Sequence, residues 1–281
     1  MTSELAFLDA LRALAPHPGA RGLTDDAAVL PSPVAADLVL THDMLVEGVH
    51  YLPTDPAGDV AWKLVAVNLS DLAAKGATPL GVLMGYALGG DDAWDAAFLV
   101  GLGEALRAFD VPLLGGDTVS MPSGAPRALG LTALGTVPPG GAPARSGAKA
   151  GDRLWVTGTI GNAGIGLRIA RGQATGAGSL LDAYRRPVPR LAAGRAIAPI
   201  ARAMADISDG LLIDAARMGT ASRLTVTIDL DAVPLSDAAR ALAGDDRAAR
   251  LAAATAGDDY ELLVAAPPHA DAALLTLCQA A

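Results

Sequence analysis

Cysteine is nearly absent from this chain. Cys278 stands alone among 281 residues, so no intramolecular disulfide can form. Aromatic residues make up 4% and charged residues 18%. That charge content is too low for extended disorder. Positive charge is the scarcer sign, with 21 Lys and Arg against 30 Asp and Glu and a net charge of −9. No basic stripe exists to meet nucleic-acid phosphates, which excludes nucleic acid as a partner. No apolar run approaches the roughly 18 residues of a membrane span, because Gly, Asp or Pro breaks each one. Met1-Thr2-Ser3-Glu4 lacks a basic stretch leading into an apolar one. These features predict no signal peptide, no membrane and a cytoplasmic location.

What is present is apolar bulk and ordered acidity. The chain is 52% hydrophobic, enough to bury one large core or two medium ones. Leu5, Leu8, Leu11 and Leu14 recur at helical spacing, so 3–15 reads as a helix ended by Pro16 and Pro18. Strands are predicted at 37–43, 80–88 and 127–137, with a short one ending at Gly115-Gly116-Asp117. Helices are predicted at 57–75 and 92–109. Pro138-Pro139-Gly140-Gly141-Ala142-Pro143 is the strongest breaker cluster and sets the domain boundary: 1–138 and 139–281. Beyond it strands are predicted at 153–157, 224–230 and 260–265. Helices are predicted at 190–203, 209–219, 235–255 and 268–279, and a glycine-rich loop at 158–166 opens another. Each half mixes strands with helices, which predicts two α/β or α+β domains.

Six segments place Asp beside glycine, a small residue or another Asp. They contain Asp25-Asp26, Asp43, Asp71, Asp117, Asp206 with Asp209, and Asp258-Asp259. None has a cationic cluster beside it in sequence. Gathered together, such carboxylates repel unless a cation sits among them. Oxygen ligands without thiols point to Mg²⁺, which usually brings substrate phosphates with it. The bland readings differ by position. Asp25-Asp26 alone is a solvated turn or a helix cap. Asp43 ends an apolar strand, where a carboxylate has few structural uses. Asp71 sits late in a helix, where the dipole disfavours negative charge. Asp117 follows two glycines that permit close backbone approach. Ser208 or Asp209 can cap the next helix and still bind a ligand.

The loop Gly158-Thr159-Ile160-Gly161-Asn162-Ala163-Gly164-Ile165-Gly166 lacks the Gly-Lys-Ser/Thr of a Walker A loop. Anion binding and tight helix–strand packing remain equal readings of it. His50, Lys75 and Arg145 are phosphate candidates, although surface exposure is the usual fate of such residues. Cys278 reads as inert. No Ser-His-Asp or Cys-His arrangement stands out. The residues by themselves predict a Mg²⁺-dependent phosphoryl-transfer enzyme.

Taken together these segments resemble the thiamine-monophosphate kinases of the aminoimidazole-ribonucleotide-synthetase-like superfamily. The resemblance runs through Asp25-Asp26-Ala27-Ala28, Thr41 to Tyr51, Lys63 to Ala77, Gly115 to Thr118, Arg145 to Ala148, Arg186 to Arg190, Asp206 to Leu211 and Gly257 to Leu263. It covers nearly the whole chain. It implies phosphorylation of thiamine monophosphate by ATP to thiamine diphosphate, the last step in making that coenzyme. It also implies a cleft between two α/β domains, and a homodimer whose N-terminal sheets form a barrel. Carried over by motif, Asp26, Thr41, His42, Asp43, Asp71, Asp117, Asp206 and Asp209 would hold several Mg²⁺ ions. Asp43, Asp71 and Asp117 would be the catalytic carboxylates. Gly116, Asp117, Arg145 and Ser208 would contact ATP, and His50 and Asp258 the thiamine phosphate.

The chain departs from the pattern at Thr24, where the family usually has Gly, and at Asp258, where it usually has Glu. The family also usually continues past this C-terminus with a strand and a substrate-stacking aromatic. Two rival readings are another ATP-using synthetase of the superfamily and a non-catalytic nucleotide-binding maturation scaffold.

Overall fold

The computed structural model describes residues 4–23, 30, 35–122 and 124–279. Packing divides the chain into two compact units, one of 1–69 with 79–136 and one of 70–78 with 137–281. The short stretch 70–78 therefore belongs with the C-terminal half.

In the first unit, α1 spans Glu4–Leu14, β1 Asp37–Val46, α2 Ala57–Ala73, β2 Thr78–Leu88, α3 Asp92–Ala108, β3 Leu113–Ser120 and β4 Ala128–Val137. The last residues of α2 and the ends of β2 and β4 extend into the other unit's range. The sheet order is β1-β4-β2-β3, with β2 and β3 parallel. Asp91 caps α3 by accepting from Ala93 and Trp94 N–H at 3.1 Å each, the usual work of an N-cap Asp. Phe7 stacks on Tyr86 with ring centres 4.3 Å apart, and Tyr86 meets Phe98 at 4.9 Å. Tyr86 Oη donates to the buried Asp95 at 2.7 Å. The core thus combines aromatic packing with a satisfied buried polar pair.

The other sheet face is open. Leu38, Leu40 and Met44 on β1 and Val119 on β3 are all about half exposed or more. Period-two alternation puts Leu38, Leu40, His42 and Met44 on one face of β1.

In the second unit, β5 spans Arg153–Val156, α4 Asn162–Ala170, α5 Gly178–Arg185, α6 Leu191–Ile197, β6 Ala203–Asp206, α7 Leu211–Ser222, α8 Asp237–Ala243, α9 Arg247–Thr255, β7 Leu262–Ala266 and α10 Asp271–Gln279. Its sheet is antiparallel in the order β5-β7-β6. Central strand β7 is buried along its whole length. Leu263 and Ala265 enter one core with Leu211, Ala215 and Met218, while Leu262, Val264 and Ala266 enter another with Ile197, Leu274 and Cys278. A strand covered on both faces reads as an unbroken apolar run.

Four sequence expectations need correction. β3 runs on to Ser120, so Asp117 lies inside a strand; the parallel ladder with β2 holds as far as Leu88–Ser120. The helix predicted over 190–203 stops at Ile197, and Ala203–Asp206 is strand, because Ala203 and Ala205 fill one core and Met204 the other. α5 was not anticipated. Residues 224–229 form no ladder among the described residues. Val226 and Ile228 still pack on the core, so the alternating pattern reports burial on one side and not pairing.

Candidate active site

Unit one presents β1 and β3. The Asp43 N–H donates to Asn68 Oδ1 at 2.8 Å, and Asn68 Nδ2 donates to Leu64 O at 2.9 Å. Asn68 is fully buried, so α2 fixes the backbone that carries Asp43. His42 points the other way and shares a 2.9 Å hydrogen bond with Thr132 Oγ1 across β4. Thr41, on the Asp43 side of β1, is half-buried. Asp117 is exposed, and its Oδ1 accepts the Thr118 N–H at 2.9 Å. Gly116 has φ +154°, and a Cβ there would meet Met84 O at 1.8 Å. Glycine at 116 is thus demanded by the approach of β3 to β2.

The sheet does not bring Asp43 and Asp117 together. They stand on its two opposite edge strands, which three strand spacings set about 14 Å apart. A Mg²⁺ ion needs its ligands within about 2.1 Å. Asp26 lies outside the described residues.

His50 sits in a turn after β1, where its Nδ1 accepts the Val46 N–H at 3.0 Å. That bond fixes the neutral ring's proton on Nε2. Lys63, almost fully buried, donates to His50 O at 3.2 Å.

Unit two gathers more of the predicted residues. Ser70 Oγ donates to Asp206 Oδ2 at 2.8 Å, with both residues buried. Lys75 Nζ donates to Pro143 O at 3.2 Å and Met204 O at 3.3 Å. Burial, then the nearby Arg145, pushes the Lys75 ammonium below its ordinary range, while Asp206 and Asp71 pull it back. Asp71, Asp206, Lys75 and Arg145 therefore share one electrostatic neighbourhood. The expectation that these carboxylates lack local cations is corrected here. Asp209 likewise pairs with Arg217, which also holds Asp214 at 2.9 Å.

Two loops lie side by side at the ends of β6 and β7. The Asp258 N–H donates to Ser208 O and the Tyr260 N–H to Ile207 O, both at 2.8 Å. Asp214 Oδ2 accepts from Ser208 and Asp209 N–H at 3.1 and 3.0 Å. Glu261, buried, accepts from Arg190 Nε at 2.8 Å and Nη2 at 2.5 Å, and from Thr157 Oγ1 at 2.6 Å. Ser70, Asn68, Asp214, Asp259, Glu261 and Arg190 were not singled out as site residues. Ser70, Asp259, Glu261 and Arg190 act through partners distant in sequence, whereas Asp214 acts on N–H groups five and six residues away.

The glycine-rich loop resolves toward packing. A Cβ on Gly158 would meet Glu261 at 2.2 Å, on Gly161 Ala253 at 2.4 Å, and on Gly166 Leu180 O at 2.0 Å. The Gly161 N–H is already taken by Asp259. Cys278 is buried, and burial followed by Glu261 pushes its thiol up to about 11, which leaves it protonated and inert. A cavity of about 1080 Å³ lies under β5 and 224–229, but no predicted site residue lines it.

Among the described residues no three His, Cys, Asp or Glu side chains stand close enough to hold a metal ion. Mg²⁺ usually takes only one or two protein carboxylates and completes its shell with water and phosphate. The Asp71 and Asp206 neighbourhood suits that donor set.

Residues 24–137 match AIR synthase related protein, N-terminal domain, and 149–281 match its C-terminal domain. Both halves are thus those of an AIR synthase related protein. Over 258 residues the chain is 44% identical to thiamine-monophosphate kinase of Caulobacter vibrioides, covering 90% of this chain and 73% of that protein. Its fold matches thiamine-monophosphate kinase from Stenotrophomonas maltophilia K279a with a TM-score of 0.86 and 37% identity, over 98% and 89% of the two chains. It also matches AaThiL complexed with AMPPCP and TMP, with a TM-score of 0.78 and 26% identity, over 95% and 86%. The chain belongs to the thiamine-monophosphate kinase family.

Proposed function

We propose that this chain transfers the γ-phosphoryl group of ATP to thiamine monophosphate, giving ADP and thiamine diphosphate. The observation that carries the reading is the convergence, in one unit, of Asp71, Asp206, Lys75 and Arg145 in a chain of this family. An acceptor phosphate oxygen attacks the γ-phosphorus as the bond to the bridging oxygen of ADP breaks. The acceptor is already an anion, so positioning and charge neutralisation matter more than a general base.

Asp71, Asp206 and Asp209 on one unit, and Thr41, Asp43 and Asp117 on the other, would hold magnesium, with Asp26 added by motif. Bound Mg²⁺ neutralises phosphate charge. Arg145, Ser208 and the Gly116-Asp117 backbone would contact ATP. His50 Nε2–H would donate to the thiamine phosphate, and Asp258 would meet the same substrate. His42, hydrogen-bonded to Thr132 on the outer face of β1, is the weakest candidate ligand.

A homodimer completes the reading, in which 1–138 is the ATP-binding and dimerising part and 139–281 the C-terminal part. The exposed apolar face of β1 and the separation of Asp43 from Asp117 support it. A second copy laid on that face would bring its own edge strand beside the first. No helix among the described residues is long and apolar enough to cross a membrane, and we assign the enzyme to the cytoplasm.

The test is a product assay with ATP, Mg²⁺ and thiamine monophosphate. Stoichiometric ADP and thiamine diphosphate without free phosphate is the expected result. Folded protein that forms no thiamine diphosphate at saturation would overturn the reading.

A further inference from the structure

The loop between α9 and β7 carries backbone strain at two non-glycine positions. Asp258 has φ +67° and Tyr260 φ +50°, conformations that persist only where the surrounding structure imposes them. Between them Asp259 turns inward. Its Oδ1 and Oδ2 accept the Gly161 N–H at 2.9 and 3.0 Å. Gly161 is itself held in the left-handed region at φ +88°, against Ala253. On the loop's other side the Asp258 and Tyr260 N–H groups donate to Ser208 O and Ile207 O. Tyr260 Oη reaches back to Asp258 Oδ1 at 3.2 Å.

The neighbouring loop has a separate anchor. Asp214, in the first turn of α7, accepts from both Ser208 and Asp209 N–H. Arg217 holds the other oxygen of Asp214. The Ser208 side thus has an anchor of its own, whereas the Asp258 side is held by Asp259 together with Ser208 O and Ile207 O.

We propose that Asp259 is a positioning residue that clamps the strained 257–260 loop to the start of α4 and so presents Asp258 to the phosphate acceptor, while Asp214 independently positions the ATP-facing Ser208 loop. The inference rests on the assignment of Asp258 to the thiamine phosphate and of Ser208 to ATP. It divides specificity between two carboxylates that touch neither substrate. Gly161 and Asp259, 98 positions apart, become one functional unit.

The experiment compares Asp259→Ala, Asp259→Asn and Asp214→Asn. Asp259→Ala is expected to raise KM for thiamine monophosphate by about 10-fold, the worth of a buried hydrogen bond, with KM for ATP changed by less than about 3-fold. Asp259→Asn keeps one acceptor for Gly161 and should recover most of the loss. Asp214→Asn should do the reverse and raise KM for ATP selectively. Equal changes in both KM values, or none, in folded variants would overturn the proposal. Amide exchange at Asp258 and Tyr260 without substrate gives an independent readout. It should quicken more in Asp259→Ala than in Asp214→Asn, whose loop supplies the acceptors Ser208 O and Ile207 O; unchanged exchange in Asp259→Ala overturns the clamp. A wild-type protein that makes no thiamine diphosphate would sink the substrate assignment, and the exchange measurement would still decide the clamp.

Discussion

Ser70 and Asp206 lie 136 positions apart and meet through a 2.8 Å hydrogen bond with both residues buried. The bond ties the last turn of α2 to the end of β6. It fixes the orientation of the Asp206 carboxylate.

Ser70→Ala removes that buried donor to Asp206 Oδ2. The expected cost is about 1–3 kcal/mol of stability, read from urea melts. Phosphoryl transfer should weaken as well, because Asp206 is freed to rotate.

Asp71→Asn and Asp117→Asn change charge with almost no change in shape. Each is expected to lower kcat by about 100-fold or more, since even outer-shell partners of a metal are worth 10–100-fold. Circular-dichroism melts should stay near wild type. Near-normal turnover in both variants would count against the magnesium assignment.

Asp43 and Asp117 occupy opposite edges of one sheet. If a second copy completes each site, mixing inactive Asp43→Asn with inactive Asp117→Asn should restore activity. Random exchange gives one intact site in half of the dimers, roughly a quarter of wild-type activity for a two-fold dimer. Leu40→Glu on the exposed face should give monomers in sedimentation. Separate inactivity after full subunit exchange would show that both carboxylates serve one copy.

Burial, outweighing the Gly161 hydrogen bond, pushes the Asp259 carboxyl well above its ordinary 3.8. The folded state therefore holds this proton more tightly than the unfolded chain. The stabilising contribution is full below about pH 4 and drains away as pH rises toward the raised value. Urea melts at pH 4, 6 and 8 should show wild type losing stability with pH relative to Asp259→Asn, which has no such proton. A constant gap across that range would refute the shift.

Hydrophobic periodicity and breaker residues placed most elements, because helix and strand periods are local properties of a chain. Periodicity also found β1, although that strand runs on past Asp43 to Val46 and the strand ending at Asp206 begins where a helix was expected. The pattern failed at 224–229, where alternate burial of Val226 and Ile228 resembles a strand although no neighbour pairs with it.

The sequence by itself determined the acidic, thiol-poor chemistry and the order of the motifs. Tertiary structure alone decided which aspartates have partners. It put Lys75 near Asp71 and Asp206, gave Asp209 to Arg217, and set Asp43 and Asp117 on opposite edges. It also turned the glycine-rich loop from a phosphate candidate into a packing joint whose free N–H belongs to Asp259. The reason is physical: electrostatic and hydrogen-bond energies depend on separations of a few ångströms, and those are fixed only when strands pair and helices cover them.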